Sequence, residues 1–288
     1  MQEPVNVGEL VLHHTSDQYA FGLEGIFDDR FVLHWHKWPD IHIAGLTFNL
    51  TPTRQMLFML LGAVLVFITM RMTVRGLARQ KAHEQAPKGF AAAMEGLVLF
   101  VRNDIAIANI GHDGPKFAPL VLTLFFFVLY MNLLGLMPWG AAATANLAVT
   151  AALAIVVFLV VEISGMRKLG LKGYLGTIFI HIDGLGKVGG ILASIFLAPI
   201  ELVGKFTKGF ALAIRLFGTM VAGHFVILSL FGIIFLFGHL SGWNYLIGAT
   251  TASLVLAIMA LELFVAFLQA YVFALLTATF IGMMQVEH

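Results

Sequence analysis

The sequence predicts an all-α, polytopic membrane protein, and three observations carry that reading. Of 288 residues, 59% are hydrophobic and only 11% are charged, whereas soluble domains carry roughly 25% charge and 45–50% apolar residues. Mean hydropathy is +0.91. Several apolar runs reach 20 residues or more, the length needed to cross a hydrocarbon core about 30 Å thick. These features exclude a soluble globular enzyme, a disordered tail and a coiled coil. A net charge of +1 offers no field for steering nucleic acid. With no cysteine in the chain, disulfides and thiolate metal sites are excluded, and no cofactor or metal is expected.

Residues 1–50 form the first region. They hold seven acids and two bases, and they lack the basic-then-apolar order of a signal peptide. Short alternating runs such as Phe31-Val32-Leu33-His34-Trp35-His36 suggest a small extracytoplasmic arm with some strand. Its histidines (His13, His14, His34, His36, His42) read as surface polar residues rather than a metal set. Residues 51–288 form the membrane domain, with nine acids and fifteen bases.

The first span is placed at about 55–73. Arg71, Arg75, Arg79, Lys81 and Lys88 follow it. Residues 88–110 alternate polar and apolar at helical spacing and suit a helix on the membrane surface. The second span is about 117–138, the loop 139–145 is uncharged, and the third span is about 146–165, followed by Arg167, Lys168 and Lys172. Alternate loops are therefore basic. The positive-inside rule puts the N-terminus outside and the loops at 74–116 and 166–190 in the cytoplasm.

The last two segments, 191–237 and 246–284, are too long for simple crossings. The 39 residues of 246–284 make a helix of roughly 58 Å, and 210–237 one of roughly 42 Å. Such helices tilt steeply or run partly in the membrane plane. A short turn, Gly238 to Trp243, joins them. The prediction is thus five membrane segments, the last two a hairpin of long, strongly tilted helices, with the C-terminus inside.

Polar residues inside this hairpin mark an ion path by default. They are Arg215, His224, Glu262 and Gln269, and no Lys or Arg follows Arg215. Antiparallel neighbours have residue numbers of nearly constant sum. That sum is 484 for Arg215 with Gln269 and 486 for His224 with Glu262, and half of it falls at Gly242-Trp243 in the turn. Simple pairing therefore sets Arg215 beside Gln269 and His224 beside Glu262. Glu262 and Gln269 are seven apart and share a face. Arg215 and His224 are nine apart and lie on opposite faces, and Thr219 lies on the arginine's side.

A buried Glu–His pair can exchange protons near neutral pH, whereas an arginine keeps its charge and cannot relay protons. Titratable groups plus one permanent cation are the parts of a proton turnstile. No intramembrane carboxylate in the chain is an obvious partner for Arg215, so the partner is expected from another subunit. The bland readings are that Arg215 snorkels to the interface, that His224 and Glu262 form a structural ion pair, and that Glu201, Lys205 and Lys208 mark the cytoplasmic boundary. The last is the favoured reading of the two lysines. Gly184-Leu-Gly186-Lys-Val-Gly189 matches a dinucleotide-loop pattern, but an apolar membrane segment follows it instead of a second strand with an acid. There is no P-loop sequence either, so the chain has no ATP site of its own.

Taken together these residues are recognisable. Ala213-Ile-Arg215-Leu-Phe-Gly218-Thr219-Met-Val-Ala-Gly223-His224 resembles the L-R-L-F-G-N-x-x-A-G signature of subunit a of F-type ATP synthases. Pro199-Ile-Glu201, Glu262 with Leu268-Gln269-Ala270-Tyr-Val-Phe-Ala-Leu-Leu-Thr, and Asn132-Leu-Leu-Gly135-Leu-Met-Pro138 followed by Thr144-Ala-Asn146-Leu-Ala-Val-Thr150 are similar as well. The resemblance covers about 55–288. It implies a proton-translocating stator in a bacterial inner membrane, beside a rotating c-ring and anchored with peripheral-stalk b subunits and the rest of the synthase. Arg215 then faces the ring carboxylate, with Gln269 and Thr219 near it. His224 and Glu262 lie in the outer half-channel and Glu201 toward the cytoplasmic one.

Two positions depart from the family pattern. Thr219 stands where the family usually has Asn, and some members carry the acid and the histidine in exchanged positions, a swap that pairing across the hairpin preserves. The alternatives from other classes are a secondary transporter of a small solute, for which no convincing internal repeat is found, and a non-conducting scaffold. The pairing makes a prediction: Glu262→Gln slows proton entry far more than Gln269→Ala, read as ATP-driven acidification of inverted vesicles. Equal effects would count against it.

Overall fold

The computed structural model describes residues 20–21, 33–34, 41–43, 46–48, 51–82, 89–137, 140, 142–179, 186–237 and 244–285. In the arm, β1 (Ala20–Phe21) pairs antiparallel with β2 (Leu33–His34), and β3 (Ile41–Ile43) with β4 (Leu46–Phe48). These ladders match the strand content expected there. His34 and His42 lie in them, while His13, His14 and His36 fall outside the described residues.

The rest is helical: α1 (Arg54–Ala82), α2 (Phe90–Phe100) continued by a π-helical stretch Val101–Ile107 and a short turn Ala108–Ile110, α3 (Gly114–Gly135), α4 (Leu147–Ile178), α5 (Gly186–Phe237) and α6 (Asn244–Met283). Among the described residues, five helical stretches are long and apolar enough to cross a membrane: Arg54–Gly76, Phe90–Gly135, Leu147–Gly170, Ser194–Leu230 and Gly248–Met283. The chain is a multi-pass membrane protein. At 52 and 40 residues, α5 and α6 are roughly 78 and 60 Å long, two or more times the hydrocarbon thickness. The predicted turn between them, 238–243, lies outside the described residues.

The chain divides into two compact units. The first contains residues 1–69, 127–146 and 217–269. Phe58 and Leu134 pack with Leu65, and Met220 with Ala142, Ala145 and Val221. The link between α3 and α4 is tied down by Arg54, whose Nη2 donates to the Gly140 carbonyl at 3.2 Å.

The second unit contains residues 70–126, 147–216 and 270–288. Its buried side chains include Val101, Ile105, Phe125, Phe126, Phe273 and Ile281, and Phe100 stacks on Tyr271 with centroids 6.0 Å apart. Asp113 joins Lys116 (2.7 Å) and Lys168 (2.8 Å) in an exposed ion-pair group.

The region 166–190, expected as a loop, is largely helical. Leu147–Ile178 is two helical pieces that meet in a kink at Gly170, with φ 68° and ψ 171°. Arg167 and Lys168 end the apolar run but not the first piece, and Lys172 lies in the second, because long cationic side chains are good helix formers. What bends the chain is Gly170, in a backbone region open essentially to glycine alone. The bend has a consequence twelve residues wide. A continuous helix would separate Glu162 from Tyr174 by roughly 18 Å, yet the Tyr174 phenol donates to Glu162 Oε2. Gly170→Ala is therefore predicted to cost about 1–3 kcal/mol, seen as a lower thermal midpoint of the assembled complex. An unchanged midpoint would mean that the bend carries no strain in other residues.

Candidate functional site

Two polar centres emerge, one in each unit. In the first unit, Glu262 on α6 is buried at 9% exposure inside an otherwise apolar helix. It fits there because α5 presents Gly223: a Cβ at that position would lie 2.9 Å from the carboxyl carbon of Glu262. The next residue, His224, is within electrostatic reach of the carboxyl. The structure thus brings the Gly223–His224 step opposite Glu262, the arrangement that the constant-sum argument requires.

Both ring nitrogens of His224 approach backbone carbonyls, Nδ1 that of Met220 at 2.9 Å and Nε2 that of Gly135 at 3.2 Å. A neutral imidazole has a single N–H, so it makes one of these hydrogen bonds at a time, whereas a protonated ring donates both. Glu262 Oε2 is buried, and among the described residues no donor reaches it. An unsatisfied buried oxygen is costly, and it is a place for a proton or a water molecule to bind.

Asn132 buttresses this centre. Its Nδ2 donates to the Ala266 carbonyl, one turn past Glu262, at 3.3 Å, and its Oδ1 accepts from Thr144 Oγ1 at 2.9 Å. Both side chains are fully buried, so their hydrogen bonds fix the end of α3 and the 3-10 turn Ala143–Ala145 against α6. Sequence reasoning gave these two residues no role. The available signal was a lone Asn in an apolar run, which in a membrane must find a partner.

Gln269, seven residues after Glu262, is buried at 5% exposure, and Thr219 is half-buried. Arg215 falls in the second unit and Gln269 in the first. Arg215 is exposed on α5. Helical spacing aligns it with Ala211, Gly218 and Ala222, all exposed, so the arginine stands on a strip whose other side chains are small. His224, nine residues on, is half-buried on the other side of the helix.

The second polar centre lies between α4, α5 and the end of α6. A cavity of about 50 Å³ is lined by Glu162, Glu201, Lys205 and Lys208 among apolar side chains that include Leu212 and Phe280. Lys205 departs from the reading of the two lysines as exposed boundary markers, and Lys208 does not. It is only 7% exposed. Its Nζ lies 3.8 Å from Glu162 Oε2, donates to Thr177 Oγ1 at 3.2 Å and sits 4.5 Å from the centre of the Tyr174 ring. Glu162, 8% exposed, is a second intramembrane acid that the sequence reading passed over. Tyr174 lies beyond the apolar span that ends at Gly170. Burial, and then its hydrogen bond to Glu162, push its phenol up to about 12, so it remains a donor at any physiological pH. Lys208 is exposed, its Nζ 5.9 Å from the Phe280 ring, and Glu201 is half-buried at the cavity wall.

The dinucleotide-like glycines lead to no such site. Gly186 and Gly189 are inside α5, and Gly184 lies outside the described residues. Among the described residues, no group of three His, Asp or Glu could hold a metal ion.

The sequence model of the family described as ATP synthase A chain matches residues 56–282. The chain is 42% identical over 272 residues to ATP synthase subunit a of Chloroherpeton thalassium, covering 94% of this chain and 75% of the relative. It is 40% identical over 277 residues to ATP synthase subunit a 2 of Chlorobaculum tepidum, covering 96% and 72%. The subunit a of Myxococcus xanthus is 44% identical over 239 residues, covering 82% and 73%.

The close fit at Gly223 makes a prediction. Gly223→Ala drives a methyl group into the Glu262 carboxylate and lowers ATP-driven proton pumping about tenfold or more, as expected of a displaced transfer group, with the complex still assembled. Pumping at the wild-type rate would mean that the position of Glu262 is immaterial.

Proposed function

The chain belongs to the ATP synthase A chain family, the proton-translocating stator subunit of the membrane sector of F-type ATP synthase, and we propose that Arg215 is the fixed charge around which its two half-channels are arranged. The single observation that carries this reading is an exposed arginine in a 52-residue apolar helix. A guanidinium in hydrocarbon is too costly to face lipid. The strip of small residues around it lets another helix approach closely. Both properties fit a rotor surface that presents a carboxylate.

In this mechanism a proton enters from the outer side and reaches Glu262 and His224, where an oxygen without a donor and a ring with two acceptors can take it up and pass it on. It then neutralises a ring carboxylate, which can now enter the lipid. Rotation brings the protonated carboxylate round to the other side of Arg215. There the guanidinium competes for the carboxylate and the proton leaves toward Glu201 and the cytoplasm. Because Arg215 never gives up its proton, it also blocks direct passage between the half-channels. Gln269 and Thr219 supply neutral hydrogen-bonding groups near the crossing. The c-ring and the peripheral-stalk b subunits are the partners this mechanism needs, and a bacterial inner membrane with the N-terminus outside and the C-terminus in the cytoplasm is the setting it fits. Family membership favours neither a small-solute transporter nor a passive scaffold.

The test is ATP-driven acidification of inverted vesicles carrying the assembled complex. Arg215→Ala is expected to abolish pumping with assembly intact. Undiminished pumping would contradict the proposal.

A further inference from the structure

Three cationic side chains and one acid of α5 fall on a single strip. Glu201, Lys205, Lys208, Leu212 and Arg215 are spaced four, three, four and three residues apart, which places them within a sector of about 80°. The first four line the cavity in the second unit, and Leu212 lies about 4.5 Å along the axis from Arg215. The cavity therefore opens the polar side of α5 to within one turn of the central arginine. At about 50 Å³ it has room for a few water molecules, each of which needs about 10–15 Å³. Opposite the strip, on α4, stands Glu162, buried and held by Lys205 and by the Tyr174 phenol.

We propose that Glu162 is a second proton-exchanging carboxylate of the inner half-channel, with Lys205 and Tyr174 as its positioning residues. The inference rests on the functional reading above and extends it to a helix that the family signature does not include. Both recorded contacts fall on Oε2, so a proton can add at Oε1 without displacing either partner. An O–H bond of a cavity hydronium breaks as the Oε1–H bond forms, leaving water, and in the return step the Oε1–H bond breaks as a cavity water takes the proton to become hydronium. Lys205 offsets the charge of the carboxylate while Glu162 is ionised, and it is itself kept in place by Thr177 and the Tyr174 ring. The bend at Gly170 brings Tyr174 into the group.

The test uses passive proton conduction through the membrane sector of the whole complex in inverted vesicles after the catalytic head is removed. The cytoplasmic face is then outside and its pH can be varied. Glu162→Gln is expected to slow conduction about tenfold or more, the effect of removing a proton-transfer group, and to remove one inflection from the dependence on outside pH. Glu162→Asp restores most of the rate. Lys205→Met moves that inflection and leaves the dependence on lumen pH unchanged. Where Glu162→Gln does not assemble, Glu162→Gln/Lys205→Met, which deletes both charges, is read by the same criterion. A wild-type rate with an unchanged outside-pH profile in the assembled Glu162→Gln complex, or in that double variant, overturns this inference alone, provided Arg215→Ala abolishes ATP-driven pumping in vesicles that keep the catalytic head. Pumping unaffected by Arg215→Ala in those vesicles would overturn the functional reading beneath it.

Discussion

A charge in hydrocarbon must be matched, and the polar residues of this chain meet that cost in three ways. Lys205 and Glu162 are buried together, with Tyr174 and Thr177 satisfying part of their remaining hydrogen-bonding capacity. Removing either partner would leave an uncompensated charge. Glu262 is buried beside an imidazole and retains an oxygen without a donor among the described residues, so its electrostatic balance can change by one proton. Arg215 stands exposed on its helix and cannot change its charge at all. The three arrangements grade from a neutralised pair, through a titratable one, to a fixed charge turned outward. A device that moves protons in steps needs the last two at least.

Helix geometry makes these arrangements possible. An ordinary span of about 20 residues presents a short polar strip, whereas α5 continues for 52 residues. Along its sequence it carries the cavity lining, the central arginine and the histidine centre in succession. Glycine sets the fit at two points along the path. Gly223 gives up its side chain so that the Glu262 carboxylate can reach α5. Gly170 turns α4 back so that a tyrosine twelve residues later meets Glu162. Asn132 and Thr144, fully buried and bonded to each other and to α6, hold the end of α3 to the histidine centre.

Most of the fold was legible because the hydrophobic requirement of a bilayer is written along the chain. The apolar runs overlap the five described stretches that are long and apolar enough to cross a membrane, and the excess length of 191–237 and 246–284 returns in α5 and α6, of 52 and 40 residues. The meeting of Glu262 with the Gly223–His224 step followed from a nearly constant residue sum, which needs only two long helices joined by a short turn. What escaped was information that depends on a third helix. Lys205 looks like a boundary lysine when read along α5, and only Glu162 on α4 makes it a buried ion-pair partner. Glu162 looks like the frayed end of an apolar span until Gly170 bends Tyr174 onto it. The basic residues after 165 end the apolar run, but helix can form again beyond it, as it does after the kink at Gly170 as far as Ile178.

The central claim is that the Arg215 side of α5 packs against the rotor ring, and disulfide formation tests it most directly. The chain has no cysteine, so single cysteines can be placed at Ala211, Gly218 and Ala222, and separately at Ala213 and Leu216, which are buried. Each is paired with one cysteine a turn from the ring carboxylate in the assembled complex. The account predicts oxidative crosslinks between the subunit and the ring from the first three positions and none from the other two. Crosslinks confined to Ala213 and Leu216, or equal yields from all five, would contradict it.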